Sequence, residues 1–407
     1  DLNPKIVLVE KNSENPVVDV AKKLKIELCE INPEKDGPSG IFNIYEKESE
    51  YSLPDESDEA LVLHTSGTTS RPKIVPLTNK NIFSSAENIS KSLNLSENDH
   101  CLNIMPLFHI HGLIAILASS MKAGASVCAS NGFNAIKFLD LAKSEKITWY
   151  SGVPTMHQTI LLRAHRNLEI AKGLKLRLIR SSSASLPPAV FNDLNDVFSC
   201  PVIEAYGMTE ATHQMTSNPL PPKQQKAGFV GLPAGPEVCI MNENGEVLKQ
   251  GDEGEVCIKG ENVTLGYDNN EEANKTSFTN GWFRTGDQGY FDKEGYLKIS
   301  GRLKEIINKG GEKISPLEVD NVLMDHPFID QAVCFGYDDK MLGENIASAI
   351  IIKSGETCSE NDVLEYAQEK LAKFKIPKKI FFVEEIPKGA TGKLQRNVLA
   401  KKFGLNN

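Results

Sequence analysis

The chain has 407 residues, of which 40% are hydrophobic and 24% are charged, and its formal net charge at pH 7 is -9. This length predicts two or more domains with sizeable cores, and the acidic balance argues against a general nucleic-acid or anionic-membrane binder. No apolar run approaches the roughly 20 residues of a membrane span. We therefore expect a globular protein with no nucleic-acid partner, in an oligomeric state that the sequence leaves open.

The cysteines occur singly, without paired or zinc-type spacing, which predicts reduced thiols and a cytoplasmic location. The C-terminal residues Gly404–Asn407 lack a Ser-Lys-Leu-type peroxisomal signal, although a peroxisomal location stays an alternative. Because the chain starts at Asp1 rather than Met and shows neither signal nor transit peptide, we expect that an N-terminal part is missing.

The first predicted elements form one strand, helix and strand unit. Lys5–Val9 and Ile26–Cys29 have the apolar pattern of strands, and Val17–Leu24 has helical spacing. Ile31–Glu59 is acidic and contains several prolines, as expected of an exposed connection.

A loop rich in hydroxyl groups follows the apolar strand Leu61–His64. Gly67 permits backbone N–H groups to converge on an anion, and Arg71 and Lys73 add positive charge. The loop is not a P-loop of the G-x-x-x-x-G-K-[ST] type, because Pro72 stands where that motif needs glycine. We interpret it as a phosphate-binding loop, with a solvated turn as the alternative. Its hydroxyl groups belong to Thr65, Ser66, Thr68, Thr69 and Ser70.

Helix and strand patterns alternate in the next hundred residues, which predicts a parallel sheet with helices on both faces. Ligands bind at the carboxyl ends of the strands in such sheets, where this chain has its polar clusters. Thr78 is predicted to cap the first helix, through about Leu93. The predicted helices that follow are Leu113–Lys122, Ala135–Lys143 and Thr155–His165, and the strands are Cys101–Met105, Ser126–Ala129, Ile147–Tyr150 and Leu176–Ile179.

From about Gly228 the chain has short β runs separated by glycines, which predict a small antiparallel, barrel-like subdomain. Within it, Trp282–Asp287 is interpreted as a turn that ends in a carboxylate. From Lys304 the pattern is α+β and long enough for its own core. We therefore predict an α/β protein with a large domain, 1–303, and a small mobile domain, 304–407.

Several side chains at these predicted turns suit nucleotide chemistry. Tyr206 offers a face for a base to stack on, Thr209 a hydroxyl, and Glu210 an oxygen for Mg²⁺. Asp287 can accept both hydroxyls of a ribose, and Lys393 follows a glycine on a flexible turn. Taken singly, each has a plainer interpretation as a structural, capping or solvated surface residue.

Six motifs in this order and at these separations resemble the adenylate-forming acyl-CoA synthetases, or AMP-binding family. The resemblance covers nearly all of the chain, but the family usually has a further N-terminal portion of the sheet. It implies a layered α/β domain and a mobile C-terminal domain. The motifs are T-S-G-T-T-S-R-P-K, P-L-F-H-I-H-G, E-A-Y-G-M-T-E, F-R-T-G-D, G-R-L-K-E-I-I-N-K-G-G-E-K-I and P-K-G-A-T-G-K.

The resemblance implies two half-reactions that use ATP, Mg²⁺ and coenzyme A. In the first, a carboxylate attacks the α-phosphate of ATP, with Lys393 and Thr209 at the reacting atoms and Glu210 on Mg²⁺. In the second, the small domain turns about Lys304 and coenzyme A attacks the adenylate. The ATP or AMP residues implied are Thr65, Ser66, Gly67, Thr68, Thr69, Lys73, Ser183, Ala184, Ser185, Glu204, Ala205, Tyr206, Gly207, Thr209, Asp287 and Arg302. Those implied for coenzyme A are Lys309, Gly310, Gly311 and Glu312.

The acid pocket is predicted to be small and polar. Many family members have glycine at the positions of Ser182 and Ser183, and His213 is expected to point into the same space, with His109 and His111 at the entrance. Serine and histidine donors suit a very small acid with a second carboxylate, because buried charge needs hydrogen bonds.

Three stretches together resemble in particular the oxalate–CoA ligases, so oxalate is the predicted acid. They are Met105–Gly112, Arg180–Leu186 and Thr209–Met215. Malonate and other short- or medium-chain acids are the alternatives within the enzyme class. A nucleotide-binding protein without turnover is the alternative outside it, and a zinc site at the His109-x-His111 pair lacks a third ligand at recognisable spacing.

Overall fold

The structure is a computed structural model that describes residues 2, 4–34, 41–44, 52–65, 72–389 and 394–405. The chain divides into two compact units, Asp1–Pro54 and Asp55–Asn407. Among the described residues, no helix is both long enough and apolar enough to cross a membrane.

The first unit is a three-stranded sheet with one helix. Strands β1 (Ile6–Glu10) and β2 (Glu27–Pro33) are parallel and joined by helix α1 (Val17–Leu24), and β3 (Phe42–Ile44) pairs antiparallel with β2. Helix α1 ends at Lys25, which has left-handed backbone angles. The strand, helix and strand predicted from the sequence are confirmed.

The second unit begins with a hairpin of β4 (Glu59–His64) and β5 (Ile74–Thr78), whose connecting loop contains the predicted phosphate residues. Helix α2 (Asn79–Ser92) follows, with Thr78 at its N-cap. The Thr78 hydroxyl accepts from the Asn81 N–H, and the Asn81 side chain accepts from the Thr78 N–H, so a capping box begins the helix.

The main sheet has seven strands in the order β12-β11-β10-β9-β8-β6-β7. The five strands from β10 to β7 are parallel, as predicted, while β11 and β12 add antiparallel pairs at one edge. Helices α3–α7 connect strands of this sheet. The strands are β6 (His100–Asn103), β7 (Ser126–Ala129), β8 (Trp149–Gly152), β9 (Leu178–Ser181), β10 (Val202–Met208), β11 (His213–Ser217) and β12 (Leu232–Pro233). The helices are α3 (Ser119–Lys122), α4 (Ala135–Ser144), α5 (Pro154–His165), α6 (Leu168–Gly173) and α7 (Pro188–Phe198).

The two faces of this sheet pack into separate cores. On β9, Leu178 belongs to one core and its neighbour Ile179 to the other, as the alternation of side chains along a strand requires. The Leu178 core includes Trp149, Ile203 and Met215 from neighbouring strands. Side chains that share this face are therefore held against one another by well-buried apolar groups.

The segment after β6 differs from its prediction. Residues His111–Ala118 form a wider, π-type helix that continues into α3, whereas the sequence predicted an α-helix over Leu113–Lys122. The segment is apolar on every side, so hydrophobic periodicity carries no information about its helical phase. A Cβ on Gly112 would lie 2.5 Å from the Pro106 carbonyl oxygen, so the preceding turn packs directly on this helix.

The third sheet is antiparallel and has five strands, in agreement with the predicted small β subdomain. The prediction that Trp282–Asp287 is a turn is wrong, because this segment starts the long strand β16. Phe283, Thr285 and Asp287 alternate inward, and Gly286, at a φ of 74°, accommodates a bulge against the neighbouring strand. The elements are β13 (Glu237–Met241), β14 (Gly254–Lys259), α8 (Glu271–Ser277), β15 (Phe278–Thr279), β16 (Trp282–Phe291) and β17 (Leu297–Arg302).

The C-terminal part is an α+β arrangement with its own sheet, in the order β19-β18-β21-β20, with β22 on β21. The predicted boundary between residues 303 and 304 falls in the short helical turn Leu303–Glu305 and stays a prediction. The elements are β18 (Ile307–Lys309), β19 (Glu312–Ile314), α9 (Pro316–Met324), β20 (Ile329–Asp339), β21 (Gly343–Ile352), α10 (Glu360–Lys370), β22 (Lys379–Phe382) and α11 (Leu399–Lys402).

Candidate active site

The carboxyl ends of the parallel strands hold a buried histidine in a frame of hydroxyl groups. His111 is fully buried, and its Nε2 lies 2.7 Å from the Ser151 hydroxyl of β8. Its Nδ1 lies 3.0 Å from the hydroxyl of Ser183, just beyond the end of β9. Both ring nitrogens are therefore engaged, which fixes the orientation of the imidazole.

A second histidine faces the first. His213 begins β11, is almost fully buried, and has its ring centroid 5.2 Å from that of His111. Ser183, His111 and His213, three of the four residues predicted for the acid, thus converge; we call them, with Ser151, the histidine pocket. The fourth, His109, lies beside it, where its Nδ1 accepts a hydrogen bond from the His111 backbone N–H at 3.1 Å.

The backbone around the histidine pocket is strained. Ser183, Thr212 and His213 have φ angles of 74°, 50° and 103°, in a region where side chains are unfavourable and glycine is usual. The turn is held because the Ser85 hydroxyl donates to the Thr212 carbonyl at 2.6 Å and the Thr212 hydroxyl donates to the Asn262 carbonyl at 2.7 Å. Because a serine rather than a glycine occupies position 183, a side-chain hydroxyl contacts His111 despite the backbone strain.

The predicted ribose and base residues meet at Asp287. The Tyr206 hydroxyl donates to Asp287 at 2.5 Å, and the Arg302 guanidinium donates to the same carboxylate at 2.8 Å. Asp287 is buried, and its negative charge raises the pKa of Arg302. Burial, and next the Asp287 charge, raise the pKa of Tyr206, so its hydroxyl keeps its proton. These three side chains form a preorganised polar group at the edge of the site.

Glu210, the predicted Mg²⁺ ligand, is held by a residue that the sequence did not single out. The Tyr267 hydroxyl donates to Glu210 Oε1 at 2.8 Å, and the Lys73 ammonium lies 4.1 Å from the centroid of the Tyr267 ring. Burial lowers the pKa of Lys73, Glu210 opposes this shift, and the positive charge of Lys304 adds to it. Lys73, Glu210 and Lys304 therefore lie within electrostatic reach of one another.

The ends of the predicted phosphate loop are held together. The Thr65 N–H donates to the Lys73 carbonyl at 2.9 Å, and the Lys73 N–H donates to the Thr65 hydroxyl at 3.1 Å. The residues between them that were predicted to bind phosphate, and the predicted catalytic lysine, lie outside the described residues. These are Ser66, Gly67, Thr68, Thr69 and Lys393.

Three predicted nucleotide residues on β10 shape the backbone of the site. Glu204 is buried and accepts from the Leu186 N–H at 2.9 Å, and burial raises its pKa to about 8. The Ala205 carbonyl accepts from the Ser182 hydroxyl at 2.8 Å. A Cβ on Gly207 would lie 1.9 Å from the His213 carbonyl oxygen, so only glycine lets β10 and β11 approach so closely.

The remaining predicted residues lie on turns. Ala184 is exposed and Ser185 half-buried in the segment after β9, and Thr209 begins the short helical turn Thr209–Ala211. Gly310 and Gly311 have φ angles of 61° and 94° between β18 and β19, and Glu312 starts β19. The Lys309 ammonium donates to the Phe374 carbonyl at 3.0 Å. Roles for these residues in nucleotide or coenzyme A binding stay predictions.

Comparison with known families identifies the chain. The model of the AMP-binding enzyme family matches residues 1–268, and that of the AMP-binding enzyme C-terminal domain matches residues 318–393. The chain belongs to the AMP-binding enzyme family. The resemblance inferred from the six motifs is thereby confirmed.

Relatives within the AMP-binding family include two oxalate–CoA ligases. The chain is 47% identical to that of Arabidopsis thaliana over 411 residues, which cover 99% of this chain and 80% of the relative. It is 49% identical to that of Saccharomyces cerevisiae over 349 residues, 85% of this chain and 64% of the relative. The crystal structure of ATP-bound MatB from Rhodopseudomonas palustris superposes with a TM-score of 0.88 at 30% identity, covering 98% of this chain and 79% of MatB.

Sequence reasoning missed several residues that build this candidate site. Tyr267 contacts Glu210, 57 positions away, and Asn262 contacts Thr212, 50 positions away, so no local pattern marks them. Ser151 is the last but one residue of the buried strand β8 and has no distinguishing neighbour in the sequence. Arg180 had a usable signal, because an arginine in an otherwise apolar strand pattern must be paired or functional.

Proposed function

We propose that this member of the AMP-binding family is an AMP-forming oxalate–CoA ligase. It joins oxalate to coenzyme A through an oxalyl-adenylate and releases AMP and pyrophosphate. The observation that carries the proposal is the histidine pocket, in which Ser183, His111 and His213 converge at the carboxyl ends of the strands. The oxalate–CoA ligases among its relatives support the same acid.

The pocket favours a very small, doubly charged acid. Its described polar groups are hydroxyls and imidazoles that can donate hydrogen bonds. They come from β8, the segment after β9, the start of β11 and the π-type helix, beside a well-packed core. A buried carboxylate is stable only when such donors meet it. A fatty chain would have to displace side chains that are already packed, which costs stability in a close-packed interior.

In the first half-reaction a carboxylate oxygen of oxalate attacks the α-phosphorus of ATP. The bond to the β-phosphate oxygen breaks, and pyrophosphate leaves with the electron pair. Tyr206 and the Asp287–Arg302 pair orient the nucleoside, and Lys73 and Thr65 hold the loop predicted to bind the phosphates. Lys393 neutralises the charge that develops on the α-phosphate, and Thr209 positions the same atoms.

Glu210 fits the role of Mg²⁺ ligand. Its carboxylate is buried, Tyr267 bonds Oε1, and within the described part of the chain Oε2 accepts no hydrogen bond. Carboxylate oxygens are the protein ligands that Mg²⁺ prefers in phosphate chemistry, where the ion neutralises phosphate charge. Lys73 on the other side of the Tyr267 ring places a second positive charge close by.

In the second half-reaction the thiolate of coenzyme A attacks the oxalyl carbonyl carbon, and AMP leaves. We propose that Lys304 is the hinge about which the small domain turns between the two half-reactions. The hairpin of Lys309, Gly310, Gly311 and Glu312 then lines the path of the thiol, since its two glycines let a chain pass close to the backbone.

Pyrophosphate release from MgATP, with oxalate, malonate and octanoate in parallel, tests the proposal. Mass spectrometry of the coenzyme A product identifies the thioester. We expect turnover of oxalate well above that of the other acids. Turnover of octanoate alone would contradict the assignment of oxalate as the acid but agree with a CoA ligase. ATP binding without turnover of any acid would favour a non-catalytic nucleotide-binding protein.

The compartment is a separate proposal. The free thiols of Cys101, Cys200, Cys257 and Cys334 agree with a reducing environment, which supports the cytoplasm. Fractionation of cells that express the natural gene, with a peroxisomal marker as the comparison, tests this location.

A further inference from the structure

A buried arginine without a carboxylate partner lies at the histidine pocket. Arg180, on β9, is fully buried, and its described contacts are Nη2 to Gln214 Oε1 at 3.1 Å and to His213 Nδ1 at 3.5 Å. Within the described part of the chain, its Nε and Nη1 have no hydrogen-bond partner, and no aspartate or glutamate forms an ion pair with it. A buried cation normally has such a partner, because desolvating it is costly.

The register of the sheet directs Arg180 to the pocket. Arg180 is the Cα partner of Ser151 on the neighbouring parallel strand, so both side chains lie on the same face. Ser151 bonds His111, and Arg180 contacts His213, so the arginine completes a ring of side chains. Arg180 is also the last but one residue of β9, at the strand end where ligands of such sheets bind.

We propose that Arg180 is a specificity-determining residue that binds the second carboxylate of the acid substrate through its unpaired N–H groups. This inference rests on the proposed function. The first carboxylate reacts with ATP, and the second needs a buried positive charge that hydroxyls and imidazoles do not guarantee. Because a guanidinium can only donate, its contact also makes His213 Nδ1 the acceptor, which directs a neutral His213 to carry its proton on Nε2.

The buried guanidinium of Arg180 destabilises the protein when no substrate is bound. Burial lowers the pKa of Arg180 to about 9, with no carboxylate to offset it, so the residue is still charged at neutral pH. An anion that arrives in the pocket relieves this unfavourable state. The arginine therefore favours a dianion over an equally small acid with a neutral second group.

The experiment compares oxalate with oxamate, a similarly shaped acid in which an amide replaces the second carboxylate. In Arg180→Met we expect kcat/KM for oxalate to fall at least about 100-fold and that for oxamate to change less than about five-fold, because a charge-assisted bidentate contact is lost only with oxalate. Arg180→Lys, which keeps the charge, is expected to recover part of the preference. Arg177→Gln is the matched control, since Arg177 pairs with Asp99 just before the same strand.

A thermal-shift measurement on the same variants is the second arm. We expect Arg180→Met to melt at or above the wild-type temperature, because it removes a buried charge without a carboxylate partner at the cost of the contacts with Gln214 and His213. An equal loss of activity with both acids, or a melting temperature lowered by more than about 5 °C, would mean a structural role and overturn the inference. If the wild-type protein does not turn over oxalate, the proposed function is wrong. The melting temperatures of wild type and Arg180→Met still show whether the buried charge of Arg180 destabilises the free protein.

Discussion

The hydroxyl of Tyr267 offers a sharp test of how Glu210 is held. Tyr267→Phe removes one oxygen and leaves the ring, so the stacking of Lys73 on the ring and the edge contact with Phe283 are retained. What is lost is a 2.8 Å hydrogen bond from a buried phenol to a buried carboxylate. The variant therefore removes the hydrogen bond that holds the proposed metal ligand, together with the side-chain hydrogen bond between Ser277 and the same hydroxyl.

The magnitude follows from the kind of bond. A hydrogen bond to a charged group contributes about 1.5–3 kcal/mol, which corresponds to roughly a 10- to 150-fold change in an equilibrium constant. Loss of a residue that orients a metal ligand typically costs about 10- to 100-fold in metal affinity or activity. We expect Tyr267→Phe to raise the Mg²⁺ concentration for half-maximal pyrophosphate release by about 10- to 100-fold at fixed ATP.

Tyr296→Phe is the matched control. Tyr296 is 6% exposed and Tyr267 is 7% exposed, and the Tyr296 hydroxyl donates to the Gln224 carbonyl at 2.7 Å, in a neutral hydrogen bond. We expect this variant to lose about 1 kcal/mol of stability and to keep the wild-type Mg²⁺ requirement. If Tyr267→Phe needed no more Mg²⁺ than Tyr296→Phe, Tyr267 would not support a metal ligand and the assignment of Glu210 would lose its structural basis.

Two further predictions concern stability. Arg396 pairs with the buried Asp320 at 2.6 Å, so Arg396→Ala should lower the free energy of unfolding, measured in urea, by about 3–5 kcal/mol. Lys375→Ala breaks the more exposed pair with Glu318 and should lower it by about 1 kcal/mol or less. Equal losses in the two variants would contradict the argument. Burial raises the pKa of Glu204 to about 8 from 4.5, so between these pH values the folded state keeps a proton that the unfolded state loses. The stability of the wild type should therefore fall as the pH rises through this window, by at most about 1.4 kcal/mol per pH unit. Glu204→Gln cannot titrate, so its stability relative to wild type should grow between pH 5 and 8 in urea unfolding, and parallel pH profiles would refute the assignment.

The fold could be predicted wherever local pattern and packing agree. Helix α1 was predicted with its observed bounds, and the capping residue Thr78 marked the start of α2. Prediction failed where a fully buried segment has no hydrophobic periodicity, and where a glycine permits either a turn or a bulge. The segment His111–Ala118 is apolar all round, and Gly286 suggested a turn although it occupies a bulge within β16.

The site was predictable to the extent that its residues stand in motifs. Ser183, His213, Tyr206 and Asp287 are quoted by the motifs, and the structure brings the first two to His111 and the last two to each other. Residues that act by long-range contact were not predictable, because Tyr267 reaches Glu210 only after folding. The strain at Ser183 was equally invisible, since the sequence shows a serine but not its backbone angle.

The arrangement of strands separates the groups proposed to select the acid from those proposed to bind the nucleotide. Strand β10 carries Tyr206 and leads to Glu210, and it lies between β9, which carries Arg180, and β11, which begins with His213. The proposed acid groups thus flank the proposed nucleotide groups on β10. We expect a side-chain replacement on β9 or β11 to alter the charge and size of the proposed acid pocket and to retain the contacts of Tyr206 and Arg302 with Asp287. Replacing Arg180 should therefore change which acid is adenylated while leaving the affinity for ATP as it was, and separate measurement of ATP binding in Arg180→Met tests this division.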